Sequence, residues 1–475
     1  PIYHRLNVYT AYEYLENRFN LQMRSLSALL FLSQRSLAAG LSIYAPAIIL
    51  SKVLGWSVST LCLVIGLVVV FYTVTGGTKA VSYTQKQQMF VILIGMGIAG
   101  YMLVNQLPEN VGLPEAVHLA GKMEKLNVID FSFRWDDRYN IWTGLIGGFF
   151  LALSYFGTDQ SQVQRYLGGK SIGESRLGLL MNGIVKIPMQ FLILFVGALL
   201  FVFYMFHYSP LHFNTAALDK AYEEGKAAQL KPLEERLVRI QEAKQEAVGK
   251  WADVIGQEGE EAPIEGRVKG FEKLEAEVRK DAARIIYDLE DDKAVEQALT
   301  KDRDYVFITF VTNQLPTGLV GLLIAVILSA AMSSASSELN ALATTTVVDV
   351  YKRSVKADGS DKHYLRASRL FTLFWGLFAI GFTQFADQLD NLIQAVNILG
   401  SLVYGVILGI FVVAFFFKYV KSKAVFYAAL VSEGVVLYSY FSELVPYLWL
   451  NVIGCLLVVS LSFILQSTLF KAEIR

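Results

Sequence analysis

Ten apolar stretches, each close to the 20 residues or so that a helix needs to cross a bilayer, constrain this chain more than any other feature. They fall near residues 25–50, 57–77, 88–106, 141–162, 178–206, 317–346, 368–386, 391–417, 424–441 and 447–470. Inside lipid the backbone has no water to bond with, so a stretch of this length must satisfy its own N–H and C=O groups as a helix. The chain therefore reads as an all-α polytopic membrane protein of about ten transmembrane helices. Composition agrees, with 54% hydrophobic and 18% charged residues, too apolar for a soluble chain of 475 residues. Cys62 and Cys455 both lie in apolar stretches, which leaves neither a disulfide framework nor a cysteine metal site. The five histidines fall outside the spans, and a net charge of zero gives no reason to expect a nucleic-acid partner.

The loops alternate in charge. Lys79 and Lys86, then Arg165, Lys170 and Arg176, then Lys352, Arg353 and Lys356, then Lys418, Lys421 and Lys423 fall on one side, whereas the short loops 51–56, 387–390 and 442–446 hold only Lys52. The positive-inside rule makes the basic side cytoplasmic and starts residue 1 there. Residues 207–303 are charged and helix-favouring, and read as an outward-facing helical hairpin with turn residues around Gly256 to Gly270. Three parts follow: membrane helices over 1–206, an extracytoplasmic insertion over 207–303, and the remaining membrane helices over 304–475. No nucleophile–base or metal spacing in the insertion suggests an enzyme.

One membrane segment is unusually polar. SAAMSSASSELNALATTT, residues 329–346, carries many hydroxyls and one acid, Glu338. Ala330, Ser333 and Ser334 stand at i, i+3 and i+4 and share a helix face. A carbonyl and two hydroxyls there form an oxygen cluster suited to a hard monovalent cation, or simply small residues that let two helices approach. Charge inside lipid is costly, so each intramembrane ionisable residue is a functional candidate. Arg35, Asp159, Lys186, Glu338 and Glu433 qualify, with Asp159 and Glu433 read as structural. Arg35 and Lys186 either form buried ion pairs or line a cavity and meet a polar or anionic solute. The fourth span, GLIGGFFLALSYFGTDQSQVQR, holds Gly147, Gly148 and Gly157, which permit bending or unwinding near a midplane site.

Motifs along nearly the whole chain carry a resemblance: YTAYEYLENRF (9–19), YAPA (44–47), YTVTGGTKAV (72–81), YFGTDQSQVQRYL (155–167), SAAMSSASSELNALATTTVVDVYKR (329–353) and GSLVYGVILGIF (400–411). In order and together they resemble the sodium/solute symporter family. The resemblance implies a LeuT-like inverted-repeat helix bundle and sodium-coupled symport by alternating access. It implies no cofactor beyond sodium as the co-transported ion. It also matches the ten spans to the third through twelfth helices of the family, so that the chain is expected to be truncated at its N-terminus and to lack the first core helices. By the same likeness the carbonyl of Ala330 and the hydroxyls of Ser333 and Ser334 belong to the shared sodium site. Lys186 and Tyr155 then line the solute cavity.

There are departures. The asparagine that sugar transporters place three residues before that tyrosine is Ala152, and the acid of a WTD-like sequence is Gln85, in Tyr83-Thr84-Gln85. That acid works with serines matched by Ser336 and Ser337 in members with a second sodium site, so one sodium is the default here. Glu338 either restores the charge on the cation's exit path or pairs with Arg35, Lys186 or Lys86. Arg35 and Lys186, helped by Gln34, Gln394 and Asn397 where these face the cavity, suggest a sugar, sugar acid or monocarboxylate as the small polar solute. The expected location is a bacterial inner membrane. The competing readings are a membrane solute sensor, a non-transporting scaffold on the symporter fold, and an interaction or adhesion protein built around 207–303.

Overall fold

The computed structural model describes residues 2–3, 8–127, 129–135, 137, 139–167, 171–386 and 392–471, with the backbone but not the side chains of 76–86, 258, 392 and 393. Gln85, Lys79 and Lys86 therefore lie outside the described side chains, as do Lys170 and the loop 387–390. The described residues form helices and connecting turns, with no strand among them.

A short amphipathic helix, α1 (Ala11–Arg18), starts at Thr10, whose hydroxyl accepts from the Glu13 N–H. Asn20 caps α2 (Leu21–Leu54) in the same way, and Gly55 ends it at φ 70°, a left-handed conformation that glycine adopts without cost. There follow α3 (Val58–Asn105), α4 (Leu113–Lys122), a π-helical turn (Thr143–Gly147) leading into α5 (Gly148–Gly157), then α6 (Gln160–Leu167) and α7 (Ile172–Phe206). Beyond the insertion come α12 (Val306–Gln314), α13 (Thr317–Thr345) with a π-helical turn (Thr346–Tyr351), α14 (Asp361–Thr383), α15 (Leu392–Phe416), α16 (Ser422–Phe441) and α17 (Tyr447–Thr468).

Among the described residues nine stretches are long and apolar enough to span a bilayer, one fewer than the sequence suggested. The difference is the fourth. Its apolar helix covers only Thr143–Gly157, because the helix stops at Thr158 and a new one begins after Asp159. The second and third expected spans are the apolar ends of a single helix, α3, where a loop was anticipated. Residues 76–86, GGTKAVSYTQK, contain two glycines but no proline, so nothing removes a bond from the helical ladder.

Helix α2 is the hub of the bundle and packs against α3, α13, α14 and α15. Small residues allow the closest approaches. A Cβ on Gly405 of α15 would stand 2.6 Å from the carbonyl oxygen of Asn451 in α17, so these two helices touch backbone to backbone. Gly147 serves the same purpose in the π turn, where a Cβ would come within 2.8 Å of Leu448.

Residues 207–303 fold as α8 (Thr215–Glu223), α9 (Ala227–Asp253), α10 (Glu258–Tyr287) and α11 (Asp292–Asp302). The turn between α9 and α10 uses Gly256 at φ 93°, whereas Gly259, Gly266 and Gly270 lie within α10 and not in a turn. Leu218, Leu230, Leu237, Val278 and Ala282 make a small core of its own. The far end of the hairpin is anchored on α4, where His118 lies 3.1 Å and Lys122 3.7 Å from Glu261.

Candidate functional site

The break in the fourth membrane segment builds the site. Gly157 ends α5, and its carbonyl accepts from the Tyr3 hydroxyl at 2.8 Å. The next acid, Asp159, then starts α6: its Oδ1 accepts from the backbone N–H of Ser161 at 2.8 Å and the Ser161 hydroxyl at 2.6 Å. Those first N–H groups have no intrahelical acceptor, so an acid at this position satisfies them. From α2, Arg35 reaches across and its Nη2 donates to Asp159 Oδ2 and, at 2.8 Å, to the hydroxyl of Tyr404 on α15. Tyr404 in turn donates to Asp159 Oδ2 at 2.6 Å. The other arm of the guanidinium, Nη1, donates to Glu338 Oε1 of α13 at 3.1 Å, and Ser42 of α2 donates to Glu338 Oε2 at 3.0 Å. The guanidinium carbon lies 5.9 Å from the centre of the Tyr155 ring, whose hydroxyl accepts from Gln162 at 2.7 Å. Arg35 and Asp159 are 3% and 1% exposed. One buried cluster thus ties α2, α5, α6, α13 and α15 together at the end of a broken helix.

Several residues singled out from sequence meet here and others do not. Glu338, Arg35 and Tyr155 are in the cluster. The guanidinium of Arg35 is held by two carboxylates and a phenol, so the ion-pair alternative describes it, with Glu338 as one partner. On α13, Ser333 is buried, Ala330 half-buried and Ser334 exposed, one turn before Glu338. Ser337 donates its hydroxyl to the carbonyl of Ser333 at 3.0 Å, and its own carbonyl accepts from Gln164 of α6 at 3.2 Å; Ser336 is buried. Lys186 is exposed on α7 and bonds no described residue. Gln394 accepts from the Tyr139 hydroxyl at 3.3 Å, and Asn397 lies two turns before Tyr404 on α15, about 10 Å along the axis. Gln34 is buried, and neither of its amide atoms has a partner among the described residues.

Sequence reasoning set Asp159 aside as structural and passed over Tyr404, Ser42 and Ser161. The available signal is the acid itself, Asp159 two residues after Gly157, placed where it would cap a helix if the segment breaks there. A second buried network also went unnoticed. Arg24 Nε donates to Asp349 Oδ1 at 2.7 Å, Nη1 to Glu16 Oε2 at 2.6 Å and Nη2 to the carbonyl of Val348 at 3.1 Å. Thr10 donates to Asp349 Oδ1 at 2.7 Å, and Arg353 pairs with Glu16. Burial pushes the Glu16 carboxyl up, but the hydrogen bonds from Arg353 and Arg24 outweigh it and hold the group below the ordinary value. A cavity of about 640 Å³ opens between α11 and the ends of α2, α3 and α14, lined among others by Tyr44, Ser59, Asn214, Lys301, Asp304 and Gln384.

The family model described as "Sodium:solute symporter family" matches residues 1–228 and 284–432. The human sodium/iodide cotransporter is 35% identical over 43% of this chain and 31% of its own length. The sodium-coupled monocarboxylate transporter 1 of Xenopus laevis is 25% identical over 89% of this chain and 54% of its own. The chain thus spans about half or less of the length of these curated relatives. Among solved structures, a substrate-bound, outward-open Na+-coupled sialic acid symporter superposes with a TM-score of 0.70 at 20% identity, covering 98% of this chain and 79% of that one. The likeness shows a shared fold.

Proposed function

Because the chain belongs to the sodium:solute symporter family, we propose that it works as a sodium-coupled symporter of a small polar organic solute, a sugar, sugar acid or monocarboxylate, by alternating access. The family consists of transporters, and the chain carries nine membrane-length apolar stretches among its described residues. One observation carries the reading. The serine-rich face of α13 leads, one turn on, into a buried charged cluster at the end of a broken membrane helix. Broken helices and intramembrane charges are what a midplane transport site is built from.

In this reading sodium sits at the Ala330 carbonyl and the hydroxyls of Ser333 and Ser334. Solute binds nearby, within reach of Tyr155 and Asn397. Coupling needs only that both ligands favour the same conformation. The sodium gradient drives uptake together with the membrane potential, worth about 2.3 kcal/mol per charge per 100 mV. With Arg35 engaged by Asp159 and Glu338, Lys186 is the cation left to attract an acidic solute. The membrane it occupies in this reading is a bacterial inner membrane, which fractionation of the source cells tests.

The function itself is tested in proteoliposomes. Uptake of labelled neutral sugars, sugar acids and monocarboxylates is compared with sodium or potassium outside. Sodium should stimulate one class, and Ser333→Ala or Ser334→Ala should abolish the stimulation. Ser337→Ala should retain it, since that hydroxyl is already spent on the Ser333 carbonyl. Uptake indifferent to sodium, or stimulation that survives in both serine variants, refutes the assignment.

A further inference from the structure

We propose that Arg35 is a tethered counter-cation: it shares Glu338 with a monovalent cation bound on the adjoining turn of α13, and releases that carboxylate when the cation arrives. The inference rests on the sodium reading above and adds a second participant to it. Its basis is a charge imbalance. Asp159 and Glu338 are two carboxylates on one guanidinium, and among the described residues Arg35 is the only cation in contact with either. Arg165, exposed on α6, acts on Glu338 only from a distance. With both acids ionised, two carboxylates and one arginine leave one negative charge within the membrane layer, and a bound cation or a proton has to offset it.

The two acids are unequally supplied. Asp159 accepts from Arg35, from Tyr404 and twice from Ser161, and its side chain is 0% exposed. Among the described residues Glu338 accepts only from Arg35 and Ser42, and it is 14% exposed. Glu338 is therefore the looser half, and the guanidinium can settle wholly on Asp159 and Tyr404 while keeping its better-supported bonds. Its Nε has no partner among the described residues, so no third bond from them fixes its present orientation. Ser334 stands four residues before Glu338, which puts the two on one face about 5–6 Å apart at Cβ. Its hydroxyl is exposed and bonds no described group. A cation at that turn meets the Glu338 carboxylate at short range and competes with Arg35 for it.

Binding of 22Na+ to the purified full chain, read by scintillation proximity, tests this without knowledge of the solute. Glu338→Gln should weaken binding about tenfold, as loss of one partly buried charge partner implies. The double variant Arg35→Gln/Asp159→Asn keeps the cluster's net charge but frees Glu338, and should tighten binding severalfold. Arg35→Lys keeps the charge at a single ammonium, which cannot bridge both acids, and should tighten binding in the same direction; it serves if the double variant does not fold. A purely structural ion pair gives weaker or unchanged binding in both Arg35 variants, and that result overturns the proposal while leaving the sodium reading intact. If the wild-type chain binds no 22Na+, the sodium reading falls and this inference falls with it.

Discussion

Replacing Arg24 with methionine should destabilise the protein by about 3–5 kcal/mol, nearly all of it through Asp349. Arg24 is 3% exposed and Asp349 0%. The substitution deletes the 2.7 Å bond to Asp349 and leaves that carboxylate with the Thr10 hydroxyl alone. Its second oxygen, Oδ2, already lacks a partner among the described residues. The Glu16 branch adds little, because Glu16 is partly exposed and keeps Arg353, and pairs of that kind are worth about 0–1 kcal/mol. Removing both charges, in Arg24→Met/Asp349→Asn, eliminates the stranded carboxylate and should cost less than about 2 kcal/mol. The double-mutant cycle therefore closes with a coupling of at least about 1–3 kcal/mol, a range typical of residues in direct contact. The measurement is the unfolding free energy in mixed detergent and SDS micelles, followed by tryptophan fluorescence. A single variant within about 0.5 kcal/mol of wild type, the size of an ordinary surface substitution, or additive costs around the cycle, refutes the reasoning.

Two further outcomes follow from packing and from burial. Gly405→Ala places a Cβ 2.6 Å from the Asn451 carbonyl oxygen and 2.8 Å from its Cα, so α15 and α17 must separate; a loss of about 1–3 kcal/mol is expected in the same unfolding assay, and none for Gly434→Ala, where the added Cβ meets nothing within 4 Å. Burial pushes the His212 imidazole below its ordinary value; Asp302 at 3.3 Å pulls it partly back, and Arg279 and Lys52 push it down again. The folded protein then binds fewer protons at this site than the unfolded chain, so stability held above about pH 6.5 is lost as the pH falls. The apparent unfolding temperature should drop between pH 7.5 and 5 more in wild type than in His212→Gln, and equal slopes would remove His212 from the account.

Fold class was legible because membrane length and apolarity are local properties, summed over neighbours along the chain. The family was legible because its motifs are short and ordered, as in YFGTDQSQVQRYL and GSLVYGVILGIF. Helix boundaries were less so. The fourth segment looked continuous because Gly157 and Thr158 do not by themselves stop a helix; the stop is enforced by tertiary bonds, Tyr3 on the Gly157 carbonyl and Arg35 with Tyr404 on Asp159. For the same reason Asp159 reads as structural from sequence with no partner named. Its partners stand 124 and 245 positions away in sequence, and no local pattern announces them. Glu338 was recognised because an acid in a serine-rich membrane stretch is conspicuous, whereas Asp349 sits where that stretch turns polar and attracted no notice.

The two buried networks share one register between α2 and α13. Arg24 and Arg35 are eleven residues apart on α2, and their acids, Asp349 and Glu338, are eleven apart in reverse order along α13 and its π turn. Eleven residues make three helical turns, about 16 Å, so one face of α2 offers two cations to two acids on one face of an antiparallel neighbour. Between the ends lie the buried hydroxyls of Ser27 and Thr345, both without partners among the described residues. Sliding α2 along α13 by a turn would break both buried pairs, at about 3–5 kcal/mol each. Tilting the two helices as one body breaks neither. If the protein rocks between outward- and inward-facing states, these pairs require α2 and α13 to move together, and the motion must be taken up elsewhere. The break between α5 and α6 meets that need, because there the ladder is interrupted, the Gly157 carbonyl going to Tyr3 and the Ser161 N–H to the Asp159 side chain, and among the described residues the Arg35 guanidinium is what bonds the break to α2.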